Sequence, residues 1–250
     1  MATPSACDSR SSVRLSRRIC SFALQILLRS NSQSRRFSWR RTLWVGLLEL
    51  NFAGLIAVIF WHQDWQYSLP TPKPAGLQAP DLMSAIELPE IDGLAARHLS
   101  GRPLLLHFFN PDCPCSRFNV DHVRALHQRF GTEVDFVAVL EGSNAEQLQR
   151  QYARLNLAIP AVVDLNQQIA QMTGIFATPQ AVILDPQRRL AYRGNYNVGR
   201  YCTTAETEFV RLALETMLYE QRIDRPLPVA ATTAYGCQLP GCAVKGAARE

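Results

Sequence analysis

Two cysteines separated by one residue follow an apolar segment, in the run His107-Phe108-Phe109-Asn110-Pro111-Asp112-Cys113-Pro114-Cys115-Ser116. The apolar segment, residues 104–109, is short and rich in leucine and phenylalanine, which predicts a buried strand. Helical spacing of apolar residues from Ser116 to Phe130 predicts a helix directly after the cysteines. Unpaired N–H groups at the start of a helix favour thiolate over thiol. The pattern therefore indicates a redox-active or metal-binding thiol site.

The cysteine spacing is compatible with several chemistries. Cys113 could attack a substrate sulfur, with Cys115 or a cysteine near the C-terminus resolving the mixed disulfide. Alternatively, Cys113, Cys115 and His122 could bind Cu(I) or Zn(II), since thiolate and imidazole suit these ions. A permanent bridge without turnover is a third interpretation. The carboxylate of Asp112 opposes ionisation of the neighbouring thiol, so a strongly lowered thiol pKa is not expected.

Three further cysteines lie towards the C-terminus, at Cys202, Cys237 and Cys242, and the last two stand beside glycine and proline. A segment of this kind is too small to form its own core. We therefore expect at least one structural disulfide that joins it to the preceding domain, between Cys202 and either Cys237 or Cys242. The connectivity of the cysteines does not follow from sequence.

Residues 43–61 are almost entirely apolar and are about as long as a membrane-spanning helix, which needs roughly 20 residues. Arginines precede this segment and Asp64 follows it, which places the N-terminus in the cytoplasm by the positive-inside rule. Tryptophans flank both ends, as at membrane interfaces. A cleaved signal sequence is less consistent, because the segment is long and no small-residue cleavage site follows. We predict a single-pass anchor in a bacterial inner membrane, with the later residues in the periplasm.

Four further regions complete the predicted organisation. Residues 1–42 are expected to be a disordered basic tail or residues upstream of the true start of the protein, with a transit peptide as the alternative. Residues 62–81 form a proline-rich spacer, residues 82–228 a folded domain and residues 229–250 a cysteine-containing tail. Residues 1–42 hold nine arginines and one acidic residue, whereas the remainder has more acidic than basic residues. Nucleic-acid binding is not expected, because no groove-reading motif accompanies these arginines.

Strand and helix patterns alternate within the folded domain. Strands are predicted at residues 134–140 and 161–163, and helices at 145–157 and 167–173. Two adjacent strands, 180–184 and 189–193, are followed by a helix at 204–223. This order predicts an α/β fold, with a central mixed sheet and helices on both faces.

The cysteine segment and the later Ala177-Thr178-Pro179-Gln180 resemble the thioredoxin fold. The resemblance implies a three-layer α/β/α sandwich, a cis peptide bond at Thr178-Pro179, and a reactive Cys113 facing Pro179. More narrowly, Asp112 to Ser116 and Tyr235-Gly236-Cys237 resemble membrane-anchored bacterial redoxins. The sequence departs from thioredoxins in having one residue between the cysteines. Ser116 holds the usual resolving position and Asp112 replaces an aromatic residue.

These observations predict a membrane-anchored, periplasm-facing thiol–disulfide oxidoreductase. Cys113 is the expected nucleophile, Cys115 the expected resolving thiol and Pro179 the residue that shapes the substrate site. Protein thiols or disulfides are the expected partners and no cofactor is expected. A metallochaperone and a non-catalytic binding domain are alternatives. A thiol peroxidase ranks lower, because Asn110 replaces the threonine that usually precedes the reactive cysteine by three residues.

Overall fold

The computed structural model describes residues 39–65, 68–91, 94, 101–199, 201–220 and 227–240. The chain divides into two compact units, residues 1–59 and residues 60–250. Residues 1–38 of the basic tail predicted for residues 1–42 lie outside the described residues. Cys242 also lies outside them.

The described part of the first unit is helical, within the helix α1 at Trp39–Phe60. It begins four residues before the predicted apolar segment and includes Arg40 and Arg41. None of its residues is buried. Within the described part of the chain, Trp39–Gln63 is the one helical segment long and apolar enough to cross a membrane.

The second unit is built on a five-stranded mixed sheet in the order β3-β2-β1-β5-β6. Its strands are β1 at Leu104–Phe109, β2 at Asp135–Leu140, β3 at Ala161–Val163, β5 at Gln180–Leu184 and β6 at Leu190–Gly194. The first three strands run parallel, while β5 is antiparallel to both β1 and β6. A separate pair consists of β4 at Ala177–Thr178 and β7 at Cys237–Gln238.

Two hydrophobic cores lie on opposite faces of the sheet, because successive side chains of a strand point to opposite sides. Leu105 and Phe109 of β1 belong to one core, and Leu104, Leu106 and Phe108 belong to the other. All six residues of β1 are buried. A central strand buried on both faces explains the continuous apolar run in the sequence.

Six further helices accompany the sheet in the described part of the second unit. They are α2 at Pro114–Phe118, α3 at Val120–Phe130, α4 at Ala145–Ala153, α5 at Gln168–Thr173, α6 at Phe209–Tyr219 and α7 at Val229–Thr232. The helix predicted from Ser116 to Phe130 is interrupted at Asn119, which ends α2 and precedes α3. The predicted helix at 204–223 is shorter and follows a 3-10 turn at Ala205–Thr207.

The strand order, the mixed pairing and a cis peptide bond at Thr178-Pro179 confirm the predicted thioredoxin-like fold. The C-terminal segment belongs to this unit, because Leu239 is buried in one of its cores. Part of the predicted spacer 62–81 also contacts the unit. The backbone N–H of Thr71 donates to the carbonyl of Ala234 at 2.8 Å, and Pro70 forms a β-bridge with Tyr235.

Candidate active site

Cys113 is held at the end of β1 by a turn built on Asn110. The side-chain oxygen of Asn110 accepts a hydrogen bond from the backbone N–H of Asp112 at 2.9 Å. The carbonyl of Asn110 accepts one from the N–H of Cys113 at 3.0 Å. Asparagine favours this geometry because its side chain bonds the backbone two residues later. Cys113 is thereby fixed as the residue before α2.

Cys113 forms a disulfide bond with Cys237, 124 residues later in the chain. Their Cα atoms lie 5.9 Å apart, within the usual range for a disulfide. The structure therefore differs from two expectations. Cys113 is bonded to the C-terminal segment and not to Cys115, and Cys237 is bonded to Cys113 and not to Cys202. Cys115 and Cys202 are not in disulfide bonds.

The bond lies beside the cis-proline segment. The Sγ atom of Cys113 is 3.4 Å from the carbonyl oxygen of Thr178. Thr178 is also the strand partner of Cys237 in the β4–β7 pair, and Ala177 is that of Gln238. The structure thus brings together Cys113, Thr178 and Pro179, as the resemblance implied. It adds Cys237, which the sequence analysis placed in a structural bridge elsewhere.

Gly236 allows the C-terminal segment to approach β4 closely. Its φ angle is +118°, and a Cβ atom there would overlap the carbonyl oxygen of Thr178. Glycine has no Cβ and adopts positive φ without strain, so it fits where other residues do not. On the other side, the hydroxyl of Thr71 donates to the carbonyl of Gly236 at 3.2 Å. The C-terminal segment therefore contacts both Thr71, in the region predicted as a spacer, and the cis-proline segment.

Cys115 takes no part in the disulfide and is 1% exposed. It lines a cavity of about 260 Å³ together with Pro179, Tyr196, Cys202 and Gly236. Burial, followed by the charge of Glu208, raises the pKa of the Cys202 thiol to about 12. The Sγ atom of Cys202 donates to the side-chain oxygen of Asn119 at 2.9 Å.

Tyr196, which lines this cavity, forms a buried polar pair with His107. The Nδ1 atom of His107, on β1, is 2.7 Å from the hydroxyl of Tyr196, and both side chains are buried. The ring of His122, on α3, meets the same tyrosine edge-on. Burial, followed by the proximity of His122, lowers the pKa of His107 to about 3. Burial is also the main cause that lowers the pKa of His122. Both imidazoles are therefore neutral at pH 7.

Asp112 and Ser116 occupy different positions around Cys113. Asp112 is exposed, and the side-chain amide of Gln151 donates to its carboxylate at 3.4 Å. Ser116 is buried, and its hydroxyl oxygen accepts a hydrogen bond from the backbone N–H of Asn110 at 3.4 Å. Ser116 therefore supports the turn that positions Cys113, whereas Asp112 faces solvent.

The candidate metal ligands Cys113, Cys115 and His122 do not form a cluster in the structure. Among the described residues, no three side chains of His, Cys, Asp or Glu come together in a way that could hold an ion. Two residues of the site were not identified from the sequence, Asn119 and Tyr196. They lie 83 and 89 residues from their partners Cys202 and His107, so no local pattern connects them.

Solved structures of low sequence identity are similar to this chain. A hypothetical protein of Sinorhizobium meliloti is 19% identical, with a TM-score of 0.51, over 68% of this chain and 97% of that one. An uncharacterized conserved protein of Geobacillus kaustophilus is 22% identical, with a TM-score of 0.50 and the same coverage. The thioredoxin domain of a Bacteroides vulgatus thiol-disulfide oxidoreductase is 15% identical, with a TM-score of 0.40, over 52% of this chain and 97% of that one.

A comparison with curated proteins finds no match to this sequence. A family model, described as a domain of unknown function, DUF6436, matches residues 89–240. The match includes the sheet, the cis-proline segment and both bonded cysteines. The chain therefore belongs to the DUF6436 family.

Proposed function

We propose that this protein is a membrane-anchored thiol–disulfide oxidoreductase in which Cys113 and Cys237 form the exchanging couple. The observation that carries the proposal is the bond between these residues, beside Thr178 and the cis-proline Pro179. Cys237 takes the resolving role that the spacing had suggested for Cys115. The proposed partners are protein thiols or disulfides.

The exchange uses two thiolate attacks. The thiolate of reduced Cys113 attacks a disulfide of a partner protein, and one partner sulfur leaves as a thiolate. The thiolate of Cys237 then attacks the Sγ atom of Cys113, and the second partner sulfur leaves. The partner gains two electrons and two protons, and the Cys113–Cys237 bond forms. The same steps in reverse oxidise a partner dithiol.

The placement of Cys237 supports its resolving role. Backbone pairing with Thr178 keeps its thiol next to Cys113 after the bond opens, since the β4–β7 pair and the contacts of Leu239 do not depend on the disulfide. Holding two reacting groups together makes their reaction effectively unimolecular. A mixed disulfide on Cys113 is therefore resolved faster by Cys237 than by a thiol from solution.

The apolar helix α1 supports the membrane part of the proposal. Arg40 and Arg41 lie in its first turn, and the preceding residues add further arginines. Such a distribution favours a cytoplasmic N-terminus in a bacterial inner membrane, with the folded domain in the periplasm. An oxidising compartment is the one in which disulfide couples operate.

The test uses the full chain in detergent micelles and follows disulfide exchange with a model protein. Cys113→Ser is expected to lower the rate at least 100-fold. Cys237→Ser is expected to resolve the mixed disulfide between Cys113 and the model protein much more slowly than wild type, while Cys115→Ser resolves it at the wild-type rate. The proposal fails if Cys115→Ser accumulates the mixed disulfide and Cys237→Ser resolves it at the wild-type rate, or if Cys113→Ser exchanges at the wild-type rate.

A further inference from the structure

The proposed couple leaves Cys115 without a role, although it stands two residues from Cys113. It lies in the wall of the 260 Å³ cavity, and Cys202 lies in the same wall. Neither cysteine is in a disulfide bond. Two thiols that share a cavity next to a disulfide raise the question of whether they exchange with it.

The segments that carry the two thiols pack against each other. Phe118 on α2 contacts the ring of Tyr201, with centroids 4.8 Å apart. The next residue of each segment is also in contact, because Cys202 donates to the side-chain oxygen of Asn119. Cys115 is four residues before Asn119. Asn119 keeps right-handed helical dihedral angles, so Cys115 and Asn119 lie on the same helical face. Cys202 therefore contacts a residue that lies one helical turn from Cys115, on the same face.

We propose that Cys115 and Cys202, which line the same cavity, form a second redox couple that exchanges electrons with the Cys113–Cys237 couple. The inference rests on the function proposed above and extends it. It assigns Cys202 a redox role in place of the structural bridge that the sequence had suggested.

The exchange consists of two balanced steps. The thiolate of Cys115 attacks the Sγ atom of Cys113, and Cys237 leaves as a thiolate. The thiolate of Cys202 then attacks the Sγ atom of Cys115, and Cys113 leaves as a thiolate. The Cys115–Cys202 bond has then formed and the Cys113–Cys237 bond has opened. The two protons that Cys115 and Cys202 lost are taken up by Cys113 and Cys237. No other oxidant takes part, and the reverse steps return both electrons.

The two couples have similar access to solvent. Cys113 and Cys115 are each 1% exposed, whereas Cys237 and Cys202 are half-buried. Because the proposed function gives Cys113 the attack on a partner protein, the Cys113–Cys237 pair is called the outer couple. The Cys115–Cys202 pair, called the inner couple, stores two electrons. The raised pKa of Cys202 makes its thiolate scarce at neutral pH, so the step through Cys202 is slow there.

The test removes the outer couple and asks whether the inner bond forms. The full-length double variant Cys113→Ser/Cys237→Ser is oxidised with glutathione disulfide in micelles, and remaining thiols are alkylated. Peptide mapping is expected to find Cys115 linked to Cys202 in more than half of the molecules. In the control, which adds Cys202→Ala, Cys115 is expected in the alkylated or glutathione-bound form. The proposal is overturned if Cys115 and Cys202 are both alkylated, or bonded to other partners, in the double variant.

A second measurement separates this inference from the proposed function. Wild-type protein is equilibrated in glutathione buffers of graded potential and mapped at each one. Two successive bonds are expected, Cys113–Cys237 and Cys115–Cys202. Formation of the outer bond alone at every potential would overturn the inner couple while leaving the proposed function intact. A reversible outer bond in the Cys202→Ala variant would show that the outer couple does not depend on Cys202.

Discussion

Cys237 is the antiparallel strand partner of Thr178, the residue that precedes the cis-proline. The carbonyl oxygen of Thr178 is also 3.4 Å from the Sγ atom of Cys113. The carbonyl group of Thr178 therefore contacts Cys113, and Thr178 pairs with Cys237, the cysteine bonded to Cys113. The C-terminal segment occupies the edge of β4, where another extended segment would otherwise find unpaired backbone groups. The outer couple is thus assembled by main-chain pairing.

Gly236→Ala is expected to weaken the Cys113–Cys237 bond. The added Cβ would overlap the carbonyl oxygen of Thr178 at a positive φ, so the C-terminal segment must move away from β4. The equilibrium constant for forming the bond, measured against glutathione, should fall at least tenfold, about 1.4 kcal/mol. Gly199→Ala is the control, because no atom lies within 4 Å of a Cβ added there. Equal constants for the two variants would show that the close approach at Gly236 is unimportant.

His107 is expected to make the fold sensitive to acid. Its folded-state pKa of about 3 lies below the ordinary value of 6.5, so the unfolded chain binds more protons between these limits. The contribution of His107 to stability is complete above pH 6.5 and is lost as the pH falls towards 3. It changes by up to about 1.4 kcal/mol per pH unit. Thermal unfolding followed by circular dichroism should show a smaller loss in His107→Gln than in wild type.

Tyr196→Phe provides the matched control for this experiment. It removes the hydroxyl that contacts Nδ1 of His107 but keeps the titrating imidazole. We expect lower stability at every pH, by about 1–3 kcal/mol, with the acid sensitivity retained. If His107→Gln and wild type lose stability in parallel between pH 6.5 and 4, His107 is not the group responsible.

Glu141 is expected to lower the stability of the fold as the pH rises, which is the opposite of the pH dependence expected from His107. Its side chain is buried close to the carboxylate of Asp164. Burial, followed by the charge of Asp164, raises its pKa to about 9. The folded state therefore holds a proton that the unfolded chain releases above pH 4.5. The stability from this group is complete below pH 4.5 and is lost as the pH rises to 9.

Glu141→Gln replaces the carboxyl group with a neutral group of similar shape. The variant should be more stable than wild type at pH 9 by about 1–3 kcal/mol, with a flatter dependence between pH 6 and 9. Glu146→Gln is a suitable control, because Glu146 is exposed on α4. Identical pH profiles for Glu141→Gln and wild type would argue that the carboxyl group is not buried in its neutral form.

The sequence predicted those features that depend on local patterns. The apolar run of β1 and the β5–β6 hairpin appear with bounds within one residue of the prediction, and the Thr178-Pro179 peptide bond is cis, as the resemblance implied. The partner of Cys113 was predicted only as an alternative, as a cysteine near the C-terminus. The Cys-x-Cys spacing favours Cys115 as the partner of Cys113. Cys237 lies on a strand of two residues, which is too short to show any periodicity. Gly236 beside Cys237 was the available signal for a close backbone approach.

The break in the predicted helix at Asn119 was also outside the reach of local patterns. Apolar spacing continues from α2 into α3, so the sequence alone indicates one helix. The contact between Asn119 and Cys202 joins two segments 83 residues apart, and it depends on how the loop after β6 folds onto α2. Long-range polar contacts of this kind leave no periodic trace in a sequence.

The most direct test of the central claim is disulfide mapping of the full-length protein across glutathione buffers of graded potential. The account predicts a Cys113–Cys237 bond that opens and closes reversibly between about −120 and −270 mV, the range of known exchanging couples. A Cys113–Cys115 bond in its place would contradict the assignment of Cys237. A Cys113–Cys237 bond that persists below about −300 mV would mark a structural bridge and contradict the exchange reaction.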